Sequence, residues 1–185
     1  MALTPSNMLE LGIQAPDFEL PDVVSDKTFT LADVRGSKGT FVMFICQHCP
    51  YVIHVQDEMT RIANEYLEKG VGAVAISSND VEKYPDDSPE MMKKQARDVG
   101  FGFPYLYDED QSVAKAYDAA CTPDFYLFDE NDVLVYRGRM DESRPGNDKP
   151  VTGENLRNAI EAMITGGEVP EMQYPSMGCN IKWKS

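Results

Sequence analysis

Two cysteines separated by two residues are the part of this sequence whose types and spacing could do chemistry. Cys46 and Cys49 follow the continuous apolar run Thr40–Ile45, and from Val52 onwards apolar residues recur at helical spacing. A cysteine at the first turn of a helix lies near unpaired N–H groups and the positive end of the helix dipole, which favour its thiolate. The spacing therefore predicts a redox pair in which Cys46 is the exposed nucleophile and Cys49 is the inward-facing resolving thiol.

The residues around this pair are expected to modify its chemistry. His48 lies between the two cysteines, where an imidazole can give a hydrogen bond or a positive charge to the Cys46 thiolate. Any group that stabilises the reduced form makes the pair more oxidising. Gln47 occupies the other intervening position and is an auxiliary candidate. Pro50 follows at once, and it stiffens the first helical turn without removing a needed hydrogen bond.

A cysteine pair can also hold a metal ion or be chemically inert, so two alternatives stay open. Cys46, Cys49 and Cys121, with His48 as a further ligand, could bind Zn²⁺ or Cu⁺, because a mixture of thiolate and imidazole suits both ions. The pair could equally be structural thiols. Its position between a strand and a helix, with no second C-x-x-C in the sequence, favours redox chemistry over both alternatives.

Composition and charge argue against several other classes of function. The 185 residues carry 17 Lys and Arg against 31 Asp and Glu, a net charge of −14, and such a field repels phosphate backbones and anionic lipids. No apolar run is long enough to span a bilayer, and the first eight residues lack the regions of a signal peptide. Four cysteines are too few for a secreted scaffold built on disulfides. We therefore expect a cytoplasmic protein with neither a nucleic-acid partner nor a membrane partner.

The elements that must position the cysteines alternate between strands and helices. Strands are predicted over Thr40–Ile45, Val71–Ile76, Tyr105–Tyr107, Asp124–Phe128 and Val133–Tyr136, and helices over about 52–68, 89–99, 112–119 and 153–164. Residues 1–35 are expected to form an N-terminal extension with a short hairpin, and residues 168–185 a C-terminal tail. This order predicts one α/β domain over residues 1–185, with a central mixed β-sheet that has helices on both faces.

A third segment, Cys121-Thr122-Pro123, precedes the predicted hairpin. A strand, a C-x-x-C and a helix, followed later by Thr-Pro before a hairpin, resemble the thioredoxin fold. The resemblance implies that Pro123 is cis and faces the cysteine pair. It also implies that the backbone of Thr122 and Pro123 pairs with a substrate strand, which is a form of β-augmentation.

More narrowly, the chain resembles the redoxins related to AhpC/TSA, that is, the peroxiredoxin-like and TlpA-like proteins. The resemblance covers nearly the whole chain and is carried by Ala15–Phe18, Cys46–Val52, Ala75–Asp80, Cys121–Phe125 and Gly178–Trp183. Peroxiredoxins have Thr or Ser three residues before the peroxide-attacking cysteine and Pro four residues before that, whereas Met43 and Gly39 stand here. The missing hydroxyl deprives a peroxide oxygen of a hydrogen-bond partner. Reduction of peroxide through a Cys46 sulfenate is therefore the second function considered.

The remaining candidate residues are given minor roles. Cys121 is interpreted as a buried small residue or an auxiliary thiol beside Pro123, and Cys179 as a tail residue that packs locally. Arg144 lies in a polar loop, from which it could bind a carboxylate group of a substrate. The acidic pair Asp86-Asp87 is interpreted as solvated or as a helix cap, without a catalytic role.

Together these features predict a thiol-disulfide oxidoreductase. Cys46 attacks, Cys49 resolves, His48 tunes the thiolate, and Thr122-Pro123 presents the substrate. The substrate is expected to be a disulfide-containing protein or a small thiol compound, with electrons from a donor of the thioredoxin or glutathione type. We expect no cofactor besides the redox-active disulfide itself, and a monomer or a weak homodimer.

Overall fold

A five-stranded mixed sheet with helices on both faces forms the centre of the molecule in the computed structural model, which describes residues 3–185. The strands are β1 (Leu3–Pro5), β2 (Glu19–Pro21), β3 (Thr28–Thr30), β4 (Gly39–Phe44), β5 (Val71–Ser77), β6 (Tyr105–Tyr107), β7 (Cys121–Thr122), β8 (Asp124–Asp129), β9 (Leu134–Gly138) and β10 (Met177–Asn180). The helices are α1 (Leu31–Val34), α2 (Pro50–Leu67), α3 (Pro89–Val99), α4 (Ser112–Ala116) and α5 (Glu154–Ile164), with a 3₁₀-helix at Pro85–Asp87.

The central sheet has the spatial strand order β6-β5-β4-β8-β9. Strand β4 pairs in parallel with β5 and antiparallel with β8, so the sheet is mixed as predicted. Both β4 and β5 are buried along their whole length. Their continuous apolar composition explains this, because a central strand covered on both faces has no side that contacts water.

Helices cover both faces of this sheet, and each face has its own apolar core. On one face, α2 and α5 pack side chains such as Val52, Met59 and Leu156 against the sheet. On the other face, α1 and α4 pack together with the N-terminal hairpin, through residues such as Leu31 and Val113. The predicted two-sided arrangement is confirmed, and it fixes the start of α2 against the end of β4.

The two ends of the chain pair with each other, which the sequence analysis did not predict. Strand β10 lies between β1 and β7 in a three-stranded antiparallel sheet. The tail is therefore not irregular throughout, and neither is the start of the chain. Short strands that contain Gly and Pro lack the alternating pattern by which strands are recognised, so their pairing partners define them. This pairing brings the C-terminal segment to the cysteine pair.

Other expectations are met with small differences. The N-terminal hairpin is formed by β2 and β3, although Leu31 begins α1 instead of ending the second strand. Helix α4 ends at Ala116, three residues earlier than predicted. Met1 and Ala2, the first residues of the predicted extension, lie outside the described residues. No helix in the described range 3–185 has both the length and the apolar character needed to cross a membrane.

Candidate active site

The two cysteines lie at the predicted junction between a buried strand and a helix. Cys46 follows β4 by two residues, and Cys49 is the N-cap residue of α2, immediately before Pro50. Both side chains are buried, with exposed fractions of 1% for Cys46 and 0% for Cys49. The expectation that Cys46 is exposed is therefore wrong, because residues distant in the sequence cover the pair.

The loop that contains Thr122 and Pro123 faces both sulfur atoms. Thr122 Oγ1 lies 3.3 Å from Cys46 Sγ, and the Thr122 carbonyl oxygen lies 3.3 Å from Cys49 Sγ. The peptide bond between Thr122 and Pro123 is cis. One residue of this loop thus contacts both members of the C-x-x-C.

A hydrogen bond between the two thiols determines where the negative charge of the reduced pair lies. This bond, with burial and the nearby Asp87 carboxylate, raises the pKa of Cys46 well above its ordinary value. The same bond lowers the pKa of Cys49 to about 5, helped by hydrogen bonds to the sulfur from Cys179 and from the Val52 backbone. These two opposite pKa shifts favour the thiolate on Cys49 over the thiolate on Cys46. The sequence analysis placed this thiolate on Cys46.

A buried aspartate holds His48 and the backbone of the C-x-x-C. His48 Nδ1 lies 2.6 Å from Asp87 Oδ2, and Asp87 Oδ1 accepts hydrogen bonds from the backbone N–H groups of Gln47 (2.9 Å) and His48 (3.1 Å). Asp87 is completely buried. The interpretation of this residue as solvated is wrong, because an acidic residue in a polar segment gives no local sign that the chain folds it inward.

The network around Asp87 continues to the C-terminal tail. Asn79 Nδ2 donates to Asp87 Oδ2 (2.8 Å), and Asn79 Oδ1 accepts from the backbone N–H of Lys182 (2.9 Å). The ring of Tyr84 stacks on the ring of His48, with 5.8 Å between the ring centres. His48 is thus fixed on one side by a carboxylate and on another by an aromatic ring.

A group of possible metal ligands overlaps this site. Within residues 3–185, ligand atoms of Cys46, His48 and Asp87 all lie within 4.8 Å of one another. The set suggested by the sequence, Cys46 with Cys49 and Cys121, is not gathered in that way. Cys121 is completely buried, and its sulfur donates to the carbonyl oxygen of Pro123 at 3.6 Å. Burial also raises the pKa of Cys121, which disfavours its thiolate.

Strand β10 places Cys179 against the redox pair. Cys179 Sγ lies 2.7 Å from Cys49 Sγ, although the two residues are 130 positions apart in the sequence. In the β10–β7 register Cys179 is opposite Thr122, and a Cβ atom on Gly178 would lie 2.0 Å from the Thr122 carbonyl oxygen, so only glycine permits this approach. Burial and the contact with Cys49 raise the pKa of Cys179 to about 12. The interpretation of Cys179 as a locally packed residue is wrong.

A cleft opens beside the loop that contains Pro123. Tyr51, Pro123, Arg139, Ser143 and Arg144 are among its lining residues. Arg144 is exposed, so its guanidinium group can reach a molecule bound in the cleft. The structure therefore brings Arg144 to the neighbourhood of Pro123, and the binding of a carboxylate there stays a prediction.

Comparisons with known proteins agree with this architecture. An uncharacterized conserved protein from Geobacillus kaustophilus, known from its crystal structure, is 58% identical with a TM-score of 0.98, and the match covers 100% of this chain and 97% of that one. The thiol-disulfide oxidoreductase ResA of Halalkalibacterium halodurans is 29% identical over 139 residues, which are 74% of this chain and 73% of ResA. The thioredoxin domain of a thiol-disulfide oxidoreductase from Bacteroides vulgatus shares the fold, with a TM-score of 0.59 at 20% identity over 74% of this chain and 91% of that one.

The family assignment rests on a match over most of the chain. Residues 11–137 match the model of the AhpC/TSA family. The matched part includes the C-x-x-C, Asp87, the Thr122-Pro123 loop and all five strands of the central sheet up to Arg137 in β9. The chain therefore belongs to the AhpC/TSA family.

Proposed function

We propose that this protein is a thiol-disulfide oxidoreductase whose redox centre is the pair Cys46 and Cys49. The observation that carries the proposal is the geometry of the pair, which lies at the start of α2 with both sulfur atoms facing Thr122, the residue before the cis peptide bond. The hydrogen bond between the two thiols also lowers the pKa of Cys49. A thiolate, and not a thiol, is the reactive form in disulfide exchange. The relatives named thiol-disulfide oxidoreductase ResA support the same class of reaction.

In the proposed reaction, Cys46 attacks a substrate disulfide while its proton passes along the existing hydrogen bond to Cys49. A bond forms between Cys46 Sγ and one substrate sulfur, and the other substrate sulfur leaves as a thiolate. Cys49 then attacks Cys46 Sγ, and the second substrate sulfur departs with the proton that Cys49 held. Two electrons pass from the pair to the substrate, and the pair becomes a disulfide.

The surrounding residues position the reacting groups in this proposal. The Thr122 hydroxyl lies within hydrogen-bond distance of Cys46 Sγ and stabilises negative charge there during attack. One ring nitrogen of His48 lies within 4.8 Å of that sulfur, and the Asp87 carboxylate holds the ring. The cleft beside Pro123 receives the substrate chain, and Arg144 binds an acidic group on it.

The proposal assigns the electron supply to a thiol donor of the thioredoxin or glutathione type, without an organic cofactor. Peroxide reduction has less support in the geometry. The residue three positions before Cys46 is Met43, which is fully buried in the core and has no hydroxyl to offer a peroxide. We therefore place disulfide exchange first.

The test is the rate at which the reduced protein reacts with oxidised glutathione. We expect Cys46→Ser to slow this exchange by more than about tenfold, because the attacking sulfur is lost. Cys49→Ser should accumulate a mixed disulfide between glutathione and Cys46. Cys121→Ser is the matched control, because the Cys121 sulfur donates to the Pro123 carbonyl oxygen and not to a sulfur of the pair. This variant should react as fast as the wild type. A Cys46→Ser variant as fast as the wild type overturns the proposal.

A further inference from the structure

Cys49 has two sulfur neighbours, and only one of them belongs to the C-x-x-C. We propose that Cys179 is a third redox-active cysteine, which converts the Cys46–Cys49 disulfide into a Cys49–Cys179 disulfide and releases Cys46 as a thiol. The inference rests on the proposed function, because it begins from the disulfide that this function forms.

The position of Cys179 relative to Cys49 is the first support. The two sulfur atoms are 2.7 Å apart, and the Thr122 carbonyl oxygen lies 3.3 Å from Cys49 Sγ. Exchange between three sulfurs requires the attacking and central atoms to be in direct contact, and this requirement is met in the folded protein.

The second support is that the backbone on both sides of Cys179 is fixed. On the N-terminal side, the backbone N–H of Ser6 donates to the Ser176 carbonyl oxygen, and the backbone N–H of Ser176 donates to Ser6 Oγ, both at 2.9 Å. On the C-terminal side, the N–H of Ile181 donates to Ala120 (3.1 Å) and the N–H of Lys182 donates to Asn79 (2.9 Å). The sulfur of Cys179 is therefore held against Cys49 by a paired strand, and it is not a side chain of a loose tail.

The exchange balances without any added reagent. The Cys179 thiol loses its proton, and its sulfur forms a bond to Cys49 Sγ. The bond between Cys49 and Cys46 breaks, and the Cys46 sulfur leaves with the electron pair and takes a proton. One disulfide and one thiol are present before and after the step, so no net oxidation or reduction occurs.

This step would change what the oxidised protein can do. While the oxidising equivalent is stored between Cys49 and Cys179, Cys46 is again a free thiol beside His48 and Thr122. In that state β10 is also covalently joined to the first turn of α2. The oxidised protein can then engage a second thiol or disulfide through Cys46.

The test uses the positions of lysine and arginine to separate the two disulfides. Cleavage after Lys and Arg places Cys46 and Cys49 together in peptide 39–61, Cys179 in peptide 158–182, and Cys121 in peptide 116–137. The full-length protein is oxidised to equilibrium with oxidised glutathione, quenched in acid, unfolded, treated with N-ethylmaleimide and digested. We expect peptide 39–61 with an internal disulfide and, in the same sample, peptides 39–61 and 158–182 joined to each other.

A variant that cannot form the first disulfide isolates the second. In Cys46→Ser, three of the four cysteines remain, and oxidation should lower the number of thiols that react with N-ethylmaleimide from three to one, with peptides 39–61 and 158–182 joined. Adding Cys121→Ser should leave this joined product unchanged, whereas adding Cys179→Ser should abolish it. Circular dichroism of each variant confirms that it is folded.

The outcomes separate failure of this inference from failure of the proposed function. If the wild type forms the internal disulfide of peptide 39–61 but neither it nor Cys46→Ser joins that peptide to 158–182, Cys179 is not redox-active and the proposed function stands. If the wild type forms neither the internal disulfide of peptide 39–61 nor the joined product, the proposed function itself is wrong. If Cys46→Ser forms the joined product but the wild type does not, exchange with the Cys46–Cys49 disulfide is refuted.

Discussion

Replacing Cys46 by alanine should raise the pKa of Cys49, because it removes the donor that most stabilises the Cys49 thiolate. A hydrogen bond to a charged group contributes about 1.5–3 kcal/mol. One pH unit corresponds to about 1.4 kcal/mol, so the loss should move the pKa of Cys49 upward by about 1–2 units. The starting value is about 5, and the expected value in the variant is therefore about 6–7.

The pKa of Cys49 should not return to the value of a free thiol in this variant. Cys179 and the Val52 backbone still donate to the sulfur, and both lower the pKa. Cys46→Ser is the matched control, because a serine hydroxyl at the same position can still donate. In Cys46→Ser, the pKa of Cys49 should lie between its values in the wild type and in Cys46→Ala.

The ultraviolet absorbance of the thiolate reports this titration directly. The reduced protein is titrated from about pH 4 to about pH 8, with the oxidised protein as the blank. The other cysteines do not interfere, because the pKa values of Cys46, Cys121 and Cys179 are all raised, that of Cys179 to about 12. An unchanged midpoint in Cys46→Ala, or no wild-type titration in this range, would refute this account of the Cys49 thiolate.

Three further predictions concern the same site. Thr122→Val removes the hydroxyl that lies 3.3 Å from Cys46 Sγ, and at about 1 kcal/mol for a hydrogen bond it should slow exchange with oxidised glutathione about fivefold, measured by stopped flow. Asp87→Ala leaves the N–H groups of Gln47 and His48 without their acceptor, and it should lower the free energy of unfolding in urea by about 2–4 kcal/mol. A loss below about 1 kcal/mol would contradict the structural role of this residue. The folded-state pKa of Cys49 is lowered to about 5, so between this value and the free-thiol pKa of about 8.5 the native state binds fewer protons than the unfolded state. The stability of the reduced protein should therefore rise with pH across this window and fall as pH drops through it. Urea unfolding at several pH values should show that Cys49→Ser loses this part of the pH dependence.

The parts of the fold that local pattern encodes could be predicted from the sequence. The unbroken apolar run at Thr40–Ile45 corresponds to β4, and the helical spacing from Val52 onwards corresponds to α2, because each pattern reports burial of the element that carries it. The position of the C-x-x-C between them followed directly.

The residues that the prediction missed are those placed by contacts distant in the sequence. Asp87 lies in a polar segment that is typical of an exposed turn, yet its carboxylate accepts the N–H groups of the C-x-x-C. Cys179 lies in a tail without strand periodicity, and its place next to Cys49 depends on pairing with β1 and β7. Gly178 was the one local signal, since a glycine inside a strand marks a close backbone approach.

The sequence predicts the thiolate on Cys46, whereas the pKa shifts of the two thiols favour Cys49, for a related reason. The helix dipole argument favours charge at the start of α2, and it does not distinguish between two cysteines three residues apart. The choice of Cys49 depends on Asp87 near Cys46 and on the donors around Cys49. These groups come from three different segments of the chain, around residues 46–52, 87 and 179.

A redox titration of the intact protein tests the central claim most directly. The protein is equilibrated in buffers of reduced and oxidised glutathione, quenched in acid, unfolded, alkylated and weighed by mass spectrometry. The account predicts one reversible two-electron step in which two of the four thiols become protected together, and which is absent from a Cys46→Ser/Cys49→Ser variant. Four thiols that remain open to alkylation in every buffer, or a step that persists in the double variant, would contradict it.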